Sequence, residues 1–184
     1  IKLMNNNKSY NTIYLVTGII LIGLISRLIP HAPNFTAIGA VALFAGNYIK
    51  SKSLRYIIPI SAMCLSDILL NLSGTSLPSI TVQISIYVTF MLIVLIGSLK
   101  YKKINKITGL AISSLVASTL FFIITNFGVW LGGWYGHTIE GVLACYAAAI
   151  PFFGNTIIGD LTYCAILFGS YEYIKLLTPR LATK

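Results

Sequence analysis

Three ionisable side chains lie inside long apolar stretches of the sequence, where charge is costly. Arg27 stands near the end of the first stretch, Asp67 near the end of a later one, and Asp160 near the start of the last. An uncompensated charge in hydrocarbon costs at least about 2.5 kcal/mol on insertion scales. These groups must therefore pair with one another, bind a ligand or face water.

The sequence leaves two assignments of these charges open. In the first, Arg27 forms a structural salt bridge with Asp67 or with Asp160, because buried pairs are often only architectural. In the second, the charges surround a polar cavity that holds a ligand. One arginine cannot neutralise two aspartates, so the surplus carboxylate needs a proton, His31 or a ligand. This imbalance favours a cavity open to the outside.

The other basic residues indicate how the apolar stretches cross a membrane. Of the 13 Lys and Arg residues, all except Arg27 fall in four short segments. Two crossings between successive segments would place all four on one side, with both termini in the cytoplasm. The charges form no continuous basic face, which argues against a nucleic acid partner. The segments contain Lys2 and Lys8; Lys50, Lys52 and Arg55; Lys100, Lys102, Lys103 and Lys106; and Lys175, Arg180 and Lys184.

Composition is typical of a polytopic membrane protein in the lipid bilayer. Apolar residues make up 57% of the chain and charged residues 9%, whereas soluble domains average about 25% charged residues. Because a membrane helix needs about 20 residues, we predict a single all-α domain over residues 12–176, with cytoplasmic tails at 1–11 and 177–184. The six predicted transmembrane helices cover residues 12–29, 35–49, 54–72, 80–99, 104–125 and 154–176.

Residues 126–153, between the last two predicted helices, concentrate aromatic residues and glycines. Both tryptophans, Trp130 and Trp134, lie here beside Tyr135. The segment is predicted to be an outer loop, which is either an aromatic belt at the headgroup level or a mobile lid over a site. Asn126 and Asn155 bracket it at its two ends.

Small residues recur on one face of the second predicted helix, at Gly39, Ala42 and Gly46. Such faces let helix backbones approach closely. They serve either packing within the bundle or docking onto a separate membrane partner.

No catalytic motif is present, neither H-E-x-x-H nor G-x-S-x-G nor a P-loop. We therefore expect no enzyme activity and no cofactor, and the spacing of the histidines supports no metal site. Two alternatives to ligand binding remain, namely an ion-coupled carrier that uses Asp67 and Asp160, and a structural subunit of a membrane complex.

Four segments of the chain resemble a bacterial family of small membrane proteins of the DUF6580 type, which are described as transport proteins. The family is similar in turn to the S components of energy-coupling factor (ECF) vitamin transporters. The resemblance covers most of residues 27–168. It is carried by residues 27–40 (RLIPHAPNFTAIGA), Ser66 and Asp67, residues 121–130 (FFIITNFGVW) and residues 151–156 (PFFGNT).

The resemblance implies an S-component-like bundle in the bacterial cytoplasmic (inner) membrane that binds a vitamin-like molecule from outside for uptake. A transmembrane ECF subunit with paired ATPases would be its partner, and cobalamin or a related corrinoid its ligand. Cys64 is then a candidate cobalt ligand, although an ordinary packing cysteine is the stronger interpretation. The substrate-binding residues we predict are Arg27, His31, Asn34, Asp67, Asn126, Trp130, Trp134, Tyr135, Asn155 and Asp160.

Overall fold

The computed structural model describes residues 2–99 and 105–177 of the chain, with side chains from residue 14 onward. Within these ranges the chain forms six α-helices and no strand, which confirms the all-α fold class. The helices are α1 (Lys2–Leu28), α2 (Ile38–Tyr48), α3 (Lys52–Leu72), α4 (Ile80–Ser98), α5 (Lys106–Leu131) and α6 (Ile139–Leu177).

Four of these helices, α3 to α6, are long and apolar enough to cross a membrane. The described apolar part of α1, Tyr14–Leu28, is shorter, and α2 has 11 residues. At 1.5 Å per residue α2 is about 16 Å long, roughly half of a bilayer's hydrocarbon thickness. This helix is therefore too short to make the membrane crossing predicted over residues 35–49.

Two predicted segments differ from the structure, the loop at residues 126–153 and the N-terminal tail at residues 1–11. The segment 126–153 is mostly helical rather than a loop, since α5 continues to Leu131, α6 starts at Ile139 and only residues 132–138 connect them. Pro151 lies inside α6, and a proline is tolerated within a membrane helix because neighbouring groups satisfy the freed backbone. At the other end of the chain, α1 starts at Lys2, inside the predicted tail. Residues 178–184 of the predicted C-terminal tail lie outside the described residues.

The short helix α2 lies at the centre of the bundle and contacts each of the other five helices. Its residues from Ile38 to Gly46 are all buried. Glycines make this enclosure possible, because a Cβ on Gly46 would lie 2.2 Å from the Val94 carbonyl oxygen and one on Gly97 2.4 Å from that of Leu43. The backbones of α2 and α4 therefore pack directly against each other.

The same enclosure corrects the predicted docking face on α2. Gly39, Ala42 and Gly46 all lie inside the bundle. A separate membrane protein cannot reach them while the other helices surround α2, so their small size serves internal packing.

The bundle has two ends that differ in charge. At the end we call the Glu172 end, the Glu172 carboxylate accepts hydrogen bonds from Tyr48 and Lys106, and Lys175 lies 3.5 Å from it. At this end Lys50 lies in the turn that follows α2, and Lys52 is the first residue of α3. At the opposite end, the Arg27 end, connections 29–37, 73–79 and 132–138 join the helices.

We expect Gly46→Ala to lower the free energy of unfolding by about 1–3 kcal/mol, because its methyl group would overlap a backbone oxygen that cannot move alone. The matched control is Gly154→Ala, where an added Cβ meets nothing within 4 Å and a helical alanine is favoured by up to about 1 kcal/mol. Thermal unfolding of the detergent-purified variants measures both. Equal stability of the two variants would contradict the direct contact between α2 and α4.

Candidate functional site

A cavity of about 340 Å³ lies at the Arg27 end of the bundle. Its mouth is formed by exposed residues of two connections, among them His31, Asn34 and Thr75, and its floor by the buried side chains of Thr156 and Asp160. The walls are apolar. They are contributed by Met63, Leu70, Ile86, Phe90, Ile93 and Phe121.

The connection 29–37 is held in place above the start of α2. Asn34 adopts φ 65°, a left-handed conformation that Asn tolerates better than most residues. The Asn155 amide donates to the Pro33 carbonyl at 3.1 Å, and the Ala37 backbone amide donates to the buried Ser26 hydroxyl at 3.0 Å. This segment is therefore fixed to both α6 and α1.

Arg27 pairs with Asp67 and not with Asp160. Its Nη1 lies 2.6 Å from Asp67 Oδ1 and also donates to the Ser66 hydroxyl. The second carboxylate oxygen of Asp67 accepts from Tyr87 at 3.1 Å and from Gln83 at 3.4 Å. This cluster joins α1, α3 and α4. Of the two pairings that the sequence allowed for Arg27, the one with Asp67 forms.

Asp160 is the surplus carboxylate. Asp160 is 4% exposed, and its Oδ2 accepts a hydrogen bond from the Ser118 hydroxyl at 2.7 Å. Its Oδ1 would lie only 2.2 Å from a Cβ atom on Gly39, so a side chain at that position would clash with it. No ion pair to Asp160 forms among the described residues. A buried carboxylate with no cation beside it is uncommon, because desolvation of its charge is not compensated.

The predicted aromatic residues do not line the cavity. Trp130 contacts the rings of Phe127 and His137, with centroids 5.4 and 5.7 Å apart. Trp134 and Tyr135 lie in the connection after α5, and Trp134 is 75% exposed. The lid interpretation of these side chains therefore gains no support from their positions, whereas a place at a membrane interface fits their exposure.

Four further predicted residues have indirect or separate positions. Asp67 lies behind Arg27 and does not line the cavity. Asn155 holds the connection above it, and the Asn126 amide donates to the Phe122 carbonyl of its own helix. The Cys64 sulfur is 3.3 Å from the Tyr87 hydroxyl and also lies off the cavity.

The sequence alone did not identify the apolar walls. Apolar residues occur on every side of α4, so nothing in its pattern distinguishes Ile86, Phe90 and Ile93 as the residues that face inward. Gly39 was assigned to partner docking and instead lines the cavity beside Asp160. The polar residues Arg27, His31, Asn34 and Asp160, which the sequence did identify, all line it.

A larger cavity of about 690 Å³ lies near the Glu172 end, among α2, α5 and α6. Its charged lining residues, Lys106 and Glu172, pair with each other at 2.5 Å. The smaller cavity is the better candidate because, among the described residues, it is the one lined by a buried carboxyl group that has no basic partner.

Comparison with known proteins gives one match. A family model described as "Family of unknown function (DUF6580)" matches residues 7–181. No curated protein and no solved structure matches the chain.

We expect Asp67→Asn to lower the free energy of unfolding by about 1–3 kcal/mol, because Arg27 would keep its charge in a largely buried position without a counter-charge. The control is Lys106→Gln, which removes the exposed pair with Glu172 and is expected to cost less than about 1 kcal/mol. Unfolding measured for Asp67→Asn, Arg27→Gln and the double variant gives the coupling between the two residues. A coupling near zero would contradict the structural role of this pair.

Proposed function

We propose that this chain, which belongs to the DUF6580 family of unknown function, is a multi-pass membrane protein that binds a small organic molecule entering from the Arg27 end. The observation that carries the proposal is the cavity that runs from the exposed His31 and Asn34 to the buried Asp160. Ligand sites commonly have volumes of about 300–1,000 Å³, apolar walls and a few convergent polar groups. This cavity has all three properties.

The distribution of basic residues supports an orientation for the site. Lys50, Lys52, Lys106 and Lys175 lie at or near helix termini at the Glu172 end. Under the positive-inside rule that end faces the cytoplasm. The Arg27 end then faces outward, and the ligand enters from outside the bacterial cytoplasmic membrane.

Uptake is the function that best fits an outward-facing binding site in a chain without a nucleotide-binding motif. In this proposal the protein is the substrate-binding component, and a transmembrane subunit with ATPases, as in ECF transporters, supplies the energy. Such a partner would contact outward-facing positions, since Gly39, Ala42 and Gly46 are enclosed. The exposed Leu65, Ile68 and Leu69 of α3 are of that kind.

The volume of the cavity bears on the ligand. About 340 Å³ is at the lower end of the range for drug-sized ligands, and a corrinoid is much larger than such molecules. The proposal therefore favours a vitamin-like molecule smaller than cobalamin, because a corrinoid would require the helices at the Arg27 end to separate.

An ion-coupled carrier is the second candidate, and Asp160 is the observation that favours it. Carboxylates inside membrane bundles often bind the coupling proton or ion, and Asp160 has no basic partner among the described residues. The two candidates differ in energy source. Uptake that stops when the proton or sodium gradient is dissipated, while ATP is maintained, would favour the carrier.

We expect at least one member of a vitamin panel that includes cobalamin and cobinamide to raise the unfolding temperature of the purified protein in a saturable way. Ile86→Trp should abolish this stabilisation because Ile86 lines the cavity and an indole would fill much of it. Ile84→Trp is the matched control, since Ile84 is on the same helix, is 56% exposed and lies off the cavity.

Two results would count against this function. Stabilisation that survives in Ile86→Trp would place the ligand elsewhere. A well-folded protein that no compound stabilises would favour a structural subunit, in which the Arg27–Asp67 pair serves stability alone.

A further inference from the structure

We propose that the cavity selects small organic cations and that Asp160 binds their ammonium group. This inference rests on the proposed function and adds the class of ligand to it. The observation behind it is a buried carboxylate at the floor of a largely apolar cavity, which forms no ion pair among the described residues. Arg27 also lines the cavity, but its guanidinium group pairs with Asp67.

The pairing of the buried charges leaves a negative site. Arg27 and Asp67 neutralise each other across 2.6 Å. Asp160 is then the one buried acid among the described residues without a basic partner. Attraction between opposite charges is much stronger in a low-dielectric site than in water, so a ligand with one positive charge would gain most from this position.

The groups around Asp160 hold its carboxylate in place but do not supply a full positive charge. Ser118 donates one hydrogen bond to Oδ2. Gly39 is the second residue of α2, so the carboxylate lies beside the start of a helix. A helix N-terminus carries about half a unit of positive charge. It favours the ionised carboxylate and leaves part of the negative charge for a ligand.

The walls favour an organic cation over a metal ion. Phe90 and Phe121 lie in contact with each other, 5.8 Å between centroids, and both line the cavity. Aromatic rings attract ammonium groups, by about 0.5–2 kcal/mol each. Calcium needs six to eight oxygen ligands and magnesium six, whereas most of this wall is hydrocarbon. The volume also fits a molecule with an apolar body better than a single ion.

The test uses the full chain in detergent and three matched sets of compounds. Arylalkylamines from benzylamine to tryptamine are each compared with the alcohol and the carboxylate of the same skeleton. Binding is measured by thermal shift and by calorimetry. We expect the amines to bind the wild-type protein at least about tenfold more tightly than the alcohols, as expected for a desolvated charge pair.

Asp160→Asn should weaken binding of the amines by about tenfold or more and change binding of the alcohols by less than about threefold. The reason is that this substitution keeps the shape of the side chain at position 160 but removes its negative charge. Glu172→Gln is the control acid, because Glu172 lies at the other end of the bundle, and it should leave the preference for amines unchanged. If Asp160→Asn does not fold, the ranking of amine, alcohol and carboxylate on the wild-type protein decides the question.

The outcomes separate this inference from the proposed function. Alcohols or carboxylates that bind as well as the amines would overturn the selection of cations and leave small-molecule binding in place. Sodium or magnesium chloride that stabilises the protein and competes with the amines, while choline chloride does not, would overturn it in favour of an inorganic cation. Failure of every amine and of every vitamin in the panel would overturn both proposals.

Discussion

The close approach of the α2 and α4 backbones at Gly46 and Gly97 determines how the bundle is arranged. Two helices can meet this closely only where neither carries a side chain at the contact. The contact fixes α2 at the centre, where its short length fills only part of the space between the longer helices. The volume above its first residues, beside Gly39, is where the cavity lies. The candidate site is thus a consequence of a central helix that is too short for the bundle around it.

The order of the helices, rather than the chemistry of the side chains, decides which aspartate pairs with Arg27. α1 packs against α3, so the last turn of α1 lies beside Asp67. Asp160 lies on α6, against Gly39 of the central helix. Both aspartates are equally suitable partners by chemistry. The pairing that forms gives α1, α3 and α4 a shared polar cluster and leaves the Asp160 carboxyl group at the cavity without a basic partner among the described residues.

The sequence predicted those features that depend on hydropathy and on isolated charges. The predicted bounds of α3 and α4 lie within two residues of the observed ones because turns and polar residues flank predominantly apolar segments. The sequence-based prediction failed at α6, which was predicted to start at residue 154 but starts at Ile139. The charged and polar cavity residues stood out against apolar neighbours, whereas Phe90 did not, because apolar residues occur on every side of α4. Trp130, Trp134 and Tyr135 were assigned to the site as parts of an outer loop that could cover it. In the structure α5 extends to Leu131, and none of the three residues lines the cavity.

The buried environment of Asp160 supports the proposal of a ligand, because the stability of the fold does not require it. Replacing buried charged groups with apolar residues of similar volume is often neutral or stabilising, so the fold alone does not require a carboxylate at this place. Gly39 is a second such residue, because a glycine in a helix lowers stability relative to alanine by about 0.5–1 kcal/mol. Here the missing side chain provides the space that Asp160 occupies. Asp160 and Gly39 each lower the stability of the unliganded fold, yet they pack against each other and both line the cavity. Residues that are unfavourable for stability and lie together are typical of functional sites. Here the unfavourable feature is a buried acidic group without a basic partner.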